Sequence, residues 1–555
     1  MSRSRLPFFF TALQRPKINP LLHEPIGPGL SRRTLGIQHY AQPISRSKWM
    51  IGRSLFLTAI ASALAYSYGR LDRGERTKSI ATKPQYGDGR TLQEAIKDLR
   101  QQLGEDAIST DIEDLHSHGF SAWSTVNADR LPVAVAYPKT TEEVSQIAAT
   151  CHKYRVPMVP YSGGSSLEAN FSAPYGGISI DFAFMDRIIS FHEDDLDVVV
   201  QPSVSWMDLN ESIKESGLFF PVDPGPNAKF GGMVGTNCSG TNAVRYGTMK
   251  DWVINLTVVL ADGTVIKTRR RPRKSSAGYN LTGLFVGSEG TLGIVTEITL
   301  KLAVIPQQTT VGVITFSSIR SATDAARSVM RAGVPVGAME LMDEVQMRVI
   351  NKAGGTGKVW KETPTLFFKF SGTKSGVKDN IKNVEALARQ HGGANIEFAK
   401  DDASAKTLWS ARKEALWSML ALRQTGNEVW STDVAVPLSR LSDIIEISKQ
   451  EMDGLGLFAS VLGHIGDGNF HESIMYDATN PAETDAVRRC VENMVVRALA
   501  MDGTCTGEHG VGLGKKDSLL KELGYPTINV MRSIKLSLDP HWLLNPGKLF
   551  DFIEA

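Results

Sequence analysis

Between Gly463 and His471 the chain reads Gly-His-Ile-Gly-Asp-Gly-Asn-Phe-His, which puts two imidazoles seven residues apart around an Asp-Gly pair. A helix does not account for this stretch, because Gly466 and Gly468 would each weaken it by about 1 kcal/mol. A straight strand fails as well, since positions seven apart point to opposite faces. A hairpin turning on Asp467-Gly468 fits, and it pairs Gly466 with Asn469, Ile465 with Phe470 and His464 with His471. The two histidines then lie across from each other with Cβ atoms roughly 5 Å apart, close enough to share a cation. Further on, Glu508-His509-Gly510 offers a carboxylate and a third imidazole. Two histidines and a glutamate can hold a divalent ion with a position left open for substrate, and zinc and manganese both accept such a set. The plainer alternative is a surface hairpin carrying two unrelated histidines.

Three glycine-rich runs call for a second kind of chemistry. Ser162-Gly-Gly-Ser-Ser166 follows a short strand pattern, Pro157 to Pro160. Its glycines allow close backbone approach, and its hydroxyls and free N–H groups suit a pyrophosphate. Gly231-Gly-Met-Val-Gly-Thr-Asn-Cys-Ser-Gly240 reads as a second loop, and Gly287-Ser-Glu-Gly-Thr-Leu-Gly293 leads into a strand pattern from Ile294 to Leu302. Any one of them alone would be a plain turn. Together they suggest a large dinucleotide gripped by backbone from several sides. Gly510-Val-Gly-Leu-Gly514-Lys515 imitates a dinucleotide fingerprint but misplaces its third glycine, and Gly357-Lys358 is followed by Val359, so it is no P-loop.

The elements that must position these groups alternate in type. Thr140 and Glu143 form a capping box ahead of Val144, Ile147, Ala148 and Cys151 at helical spacing. A strand at Val198–Val200, a helix from Ser205 and a hairpin at Asp262-Gly263 follow. This is an α+β pattern without a regular βαβ repeat. The 555 residues allow a leader and two or three domains, and 42% hydrophobic with 22% charged residues is ordinary globular usage. Four cysteines without a close CxxC pair give neither a disulfide framework nor a thiolate metal site.

The net charge of +2 is unevenly placed. Residues 1–71 hold ten Arg or Lys and one acid, Glu24; the rest, 51 basic and 58 acidic residues, carries about −7. No basic stripe for nucleic acid survives this division. The Arg-rich, acid-poor start predicts a mitochondrial presequence over residues 1–48. Residues 49–69, with sixteen uncharged residues from Ser54 to Gly69, predict a transmembrane anchor. The basic residues on its N-terminal side would keep that end in the matrix and put the folded part in the intermembrane space; a soluble matrix enzyme is the alternative.

The ordered set Pro160-Tyr-Ser-Gly-Gly-Ser-Ser166, Pro221-Val-Asp-Pro224, Gly231-Gly232, Ser239-Gly240, Arg245-Tyr-Gly247, Gly287–Gly293, His464–His471 and Gly507-Glu-His-Gly510 resembles the FAD-dependent D-2-hydroxy acid dehydrogenases of the vanillyl-alcohol-oxidase fold. Leu408-Trp-Ser-Ala-Arg412 and Ser431-Thr-Asp-Val-Ala-Val-Pro437 extend the resemblance over about residues 131–550. It implies a linker with N-terminal helices over 70–124, an FAD-binding PCMH-type domain of two α+β subdomains over 125–305, and an α+β substrate and metal domain over 306–555. It places FAD on Ser162, Gly163, Gly164, Ser165, Ser166, Gly232, Thr236, Ser239, Gly240, Gly293 and Val295. His464, His471 and Glu508 match the metal ligands, His509 the proton-abstracting base, and Arg412 the arginine that holds the substrate carboxylate. Some covalent flavoproteins of the fold carry a histidine in the first loop; none stands between Pro160 and Asn170, which implies noncovalent FAD.

The resemblance also implies a reaction. A D-2-hydroxy acid would chelate the metal, lose its hydroxyl proton to His509 and its Cα hydrogen, as hydride, to the flavin, whose electrons would pass to cytochrome c. Dehydrogenases of 2-hydroxyglutarate carry a lysine where Ser431 stands and an asparagine where Ser473 stands, so a small monocarboxylate such as D-lactate is expected. The rivals are a dehydrogenase of D-2-hydroxyglutarate or glycolate, a non-redox FAD enzyme such as an alkylglycerone-phosphate synthase, and a non-catalytic flavin- or metal-binding module. The end Phe552-Ile-Glu-Ala555 has no S-K-L type peroxisomal address.

Overall fold

Alternation of apolar residues with turn signals builds three large sheets and a two-stranded one, Leu218–Phe219 with Ala303–Val304, in this computed structural model, which describes residues 83–552 except 122 and 125. The expected presequence and the expected anchor at 49–69 both lie outside the described residues. Among the described residues no helix is long and apolar enough to cross a membrane.

The first sheet runs Ile108–Ser109, Ala134–Ala136, Ile178–Asp181, Met158–Tyr161; the last three strands are parallel and the first is antiparallel to its neighbour. Helix Thr141–Tyr154 crosses between two of these strands, capped by the Thr140 side chain on the Glu143 N–H. Val144, Ile147, Ala148 and Cys151 point into the core as their spacing predicts. The capping box is half realised: the Glu143 carboxylate reaches back to the Lys139 N–H instead of to Thr140. A second, wholly antiparallel sheet runs Ile188–His192, Asp197–Val200, Ile294–Lys301, Val253–Val259, Val265–Lys267. Its last hairpin turns at Asp262-Gly263, where Gly263 has φ +89°, as the sequence suggests. The second glycine run departs from the expected loop, because its first half winds into helix Phe230–Thr236 before Asn237 ends it at φ 52°. Buried Phe230, Met233 and Val234 hold that turn to the core.

The third sheet is antiparallel throughout, in the order Ala394–Phe398, Gln308–Thr315, Thr365–Gly372, Val336–Met342, Phe458–His464, Asn469–Asp477, Asn427–Ser431, with Val434–Ala435 also paired to Asn469–Asp477. Alternation assigns its two faces. Ile314, Met339, Leu366, Phe368, Val461, Phe470 and Ile474 bury one face against helices Ile319–Arg331, Leu441–Gly454 and Pro481–Ala500. Val313, Ala338, Met342 and Phe367 look the other way, toward Leu408, Trp409 and Ala411 of helix Asp402–Lys413. That second face carries the chemistry.

The C-terminal stretch returns to the first sheet. The Met158 N–H donates to the Leu543 carbonyl (2.7 Å) and the Asn545 N–H to the Met158 carbonyl (2.7 Å). Buried Lys535 ties the return to the third glycine run through the Thr291 carbonyl at 2.6 Å.

Candidate active site

His464 ends strand Phe458–His464 and His471 lies in strand Asn469–Asp477, but the hairpin between them is not the expected one. Ile465–Asp467 forms a 3-10 turn closed by Gly468 in the left-handed region, and the register pairs Leu462 with His471. The histidines are therefore diagonal, not directly opposite. Because the offset from the expected pairing is two residues, the face parity is kept, and the rings sit 5.5 Å apart. A slip of one would have put them on opposite faces of the sheet.

Glu508 joins them from the returning loop. Its Oε1 lies 3.0 Å from His464 Nε2 and 3.3 Å from His471 Nε2. The other ring nitrogens are engaged elsewhere: His464 Nδ1 meets Glu340 Oε1 at 2.9 Å, and His471 Nδ1 meets the Thr432 carbonyl at 2.8 Å. With Nδ1 held by its acceptor, each Nε2 faces Glu508 as the ring nitrogen that could ligate an ion once it has lost its proton, the arrangement that metal-binding histidines adopt. Three donors of suitable type thus converge where a divalent ion fits. Burial alone would raise the Glu508 pKa, but the two imidazoles hold it well below the usual carboxylate range. Ser239, expected on the flavin, turns instead to Glu508 and donates its hydroxyl to Oε2 at 2.6 Å.

His509 stacks on His471 with ring centres 5.0 Å apart and planes 7° apart. Its Nδ1 is buried without a hydrogen-bond partner. Burial pushes its pKa down to about 4, more than nearby Asp433 restores, so the ring is neutral at pH 7 and able to take a proton.

Arg412 occupies the last turn of helix Asp402–Lys413. Arg412 makes no ion pair with the nearby acids Glu414 and Asp402. Arg412 Nε instead donates to Glu340 Oε2 at 2.8 Å, and its terminal nitrogens have no hydrogen-bond partner among the described residues. They form a free fork suited to a carboxylate.

A cavity of about 650 Å³ connects these groups to the glycine runs. Ser162, Gly163, Gly164, Ser165, Ser166, Gly232, Thr236, Gly240, Gly293 and Val295 line it together with Arg412, His464, His471, Glu508 and His509. Ser239 alone of the expected set does not; its neighbour Cys238 does. The cradle is mostly backbone and small side chains. Gly164 needs to be glycine twice over, since its φ is +62° and an added Cβ would meet the Tyr161 hydroxyl.

Three residues that carry the site escaped sequence reading. Glu340, the one charged residue of strand Val336–Met342, is 1% exposed; an acid in a fully buried strand is the signal that could have exposed it. Asp433, also 1% exposed, accepts at Oδ2 from the N–H groups of Gly507 (2.8 Å), Glu508 (3.0 Å) and His509 (3.0 Å) and from the Thr506 hydroxyl (2.8 Å). Burial would raise its pKa, but Lys515 and the imidazoles keep it well below the usual range. Glu289 receives the Val511 N–H at 2.7 Å and the Gly512 N–H at 2.8 Å, joining the third glycine run to the loop that carries His509. The imitation fingerprint at Gly510–Gly514 is thereby explained. Cβ atoms at Gly510, Gly512 and Gly514 would meet Glu289 and Glu168, so these glycines permit close packing of protein on protein.

Known proteins resemble this chain over most of its length. Residues 132–269 match the FAD binding domain family, and residues 305–549 match the family of FAD linked oxidases, C-terminal domain. The mitochondrial D-lactate dehydrogenase [cytochrome] of Kluyveromyces lactis is 46% identical over 509 residues, 88% of each chain. The protein of the same name from Arabidopsis thaliana is 45% identical over 512 residues, 89% of this chain and 90% of that one. The 4-ethylphenol oxidase from Gulosibacter chungangensis shares the fold with a TM-score of 0.70 at 18% identity, over 85% of this chain and 99% of its own. The chain belongs to the FAD-linked oxidase family.

Proposed function

We propose that the chain oxidises D-lactate to pyruvate, using noncovalent FAD and a divalent metal, and passes the electrons to cytochrome c. The observation that carries this reading is the convergence on one cavity of a free arginine fork, a neutral imidazole, a three-donor ligand set and a glycine-rich cradle. When bound, FAD supplies a two-electron acceptor for the Cα hydrogen, and zinc or manganese at His464, His471 and Glu508 supplies Lewis acidity to the 2-hydroxyl.

The protein's own groups do the rest. Arg412 binds the substrate carboxylate through its two terminal nitrogens. His509 takes the hydroxyl proton. Asp433 fixes the backbone of residues 506–509, so that base and ligand keep their places relative to each other. Ser431 and Ser473 are cross-strand partners on the cavity wall. Two short hydroxyls at that point suit a small acid and offer no cation for a second carboxylate, which favours D-lactate over D-2-hydroxyglutarate. The three-donor set for a divalent ion beside that fork suits chelation of a 2-hydroxy acid and favours it over the non-redox chemistry of an ether-lipid synthase.

In the same reading, residues 1–48 are a mitochondrial presequence and 49–69 an inner-membrane anchor. Residues 125–305 bind FAD, and 306–555 bind substrate and metal in the intermembrane space. The relatives' names support the mitochondrial part of this assignment. A folded part carrying about −7 attracts a basic electron carrier, so the rate of cytochrome c reduction should fall as ionic strength rises. Anaerobic mixing tests the activity: D-lactate should bleach the flavin and L-lactate should not. Bleaching by neither acid, or by both alike, would refute the assignment.

A further inference from the structure

Glu340 occupies a position that neither the metal set nor the substrate arginine accounts for. It lies directly across from His464 in the sheet and shares a face with Ala338 and Met342, toward helix Asp402–Lys413. One carboxylate therefore serves two donors: Oε1 takes the His464 Nδ1–H at 2.9 Å, and Oε2 takes the Arg412 Nε–H at 2.8 Å. We propose that Glu340 is the positioning residue that allows metal ligation by His464 and carboxylate binding by Arg412 to occur together. This rests on the hydroxy acid reading of the site.

The chemistry of the two partners makes the claim specific. Arginine can only donate, whereas a neutral imidazole can donate from either nitrogen but not both. Both partners need an acceptor at Glu340, and a carboxylate provides two. An amide provides one oxygen and one NH2. In Glu340→Gln, if the oxygen stays with Arg412, the amide NH2 faces His464 Nδ1 and drives the ring proton to Nε2, which then cannot ligate. If the oxygen turns to His464, Arg412 Nε–H faces another donor and loses its anchor. The volume hardly changes, yet metal occupancy and arginine placement come to compete for a single oxygen.

The test uses the full flavoprotein with zinc as the probe. Chelator competition on Glu340→Gln should show metal affinity reduced about 10- to 100-fold, the range for loss of an outer partner of a metal-bound histidine, with FAD retained. At saturating zinc the KM for D-lactate should then rise several-fold, and by more than kcat falls. Metal affinity within about twofold of the unaltered protein would overturn the proposal. So would weakened metal affinity with an unchanged KM at saturating zinc, which would make Glu340 a support for His464 alone. If Glu340→Gln does not fold, Glu340→Asp keeps the buried charge but is one methylene too short to reach both partners, and the same two readouts decide. Failure of the underlying reading is seen separately, as unaltered protein whose flavin D-lactate does not reduce.

Discussion

The cavity has two walls built on opposite plans. On one side, glycine runs from the first two sheets form a cradle that is mostly backbone and hydroxyls, with Asp223, Lys229 and Glu289 as its charged lining. On the other, Glu340, Arg412, His464, His471, Glu508 and His509 bring charge and imidazole from distant parts of the chain, with buried Asp433 holding the loop behind them. The first wall recognises a large cofactor by shape, so one altered residue removes one contact among many. The second places a few reactive groups within ångströms of one another, so one altered residue should disable the reaction while leaving the cofactor bound.

Breaking the charged wall should give the largest effects. His509→Ala removes the one neutral, unpartnered imidazole there, and flavin reduction by D-lactate should slow about 10²- to 10⁴-fold with FAD content unchanged, as stopped-flow traces and absorbance would record. Asp433→Asn removes a buried charge that accepts from four loop donors. A loss of about 3–5 kcal/mol is expected, visible in thermal melts together with depressed activity.

The cradle should respond differently. Gly164→Ala forces a side chain into a left-handed backbone and against Tyr161, a cost of about 1–3 kcal/mol. FAD affinity should weaken by about tenfold or more, while protein reloaded with FAD turns over near the normal rate. The smallest effect lies behind the cradle, where His118 Nε2 meets Asp181 Oδ2 at 2.8 Å. Burial alone would lower the His118 pKa, but Asp181 and the Asp114 carbonyl raise it above its ordinary value. A raised folded-state pKa stabilises fully below the unfolded value of about 6.5 and loses that contribution as pH climbs through the folded one. Stability should therefore drop by on the order of 1 kcal/mol on the alkaline side, and denaturant melts of His118→Gln should lack that step.

The same contrast decides what the sequence could reveal. The glycine runs are local and readable, and so are His464 with His471 across one short hairpin and Glu508 with its neighbour His509. The helix from Thr141 and the strands before and after the runs follow from spacing and caps. The hairpin register at His464 differs from the expected one because a 3-10 turn stands in place of the two-residue turn, yet period-two alternation keeps both rings on one face. Partners such as Glu340, 72 residues before Arg412, and Glu289, 223 before Gly512, come together only through the folded sheets. No local pattern announces them beyond an acid where burial calls for an apolar side chain.

In the proposed function His464, His471 and Glu508 act through a divalent ion, together with His509, on a hydroxy acid beside bound flavin. The most direct test is the rate of anaerobic flavin reduction by D-lactate in metal-depleted protein, before and after zinc or manganese is restored. Reduction should be nearly absent without metal, return on reconstitution, and stay absent when His471→Ala protein is treated the same way. Equal rates with and without metal would contradict the account.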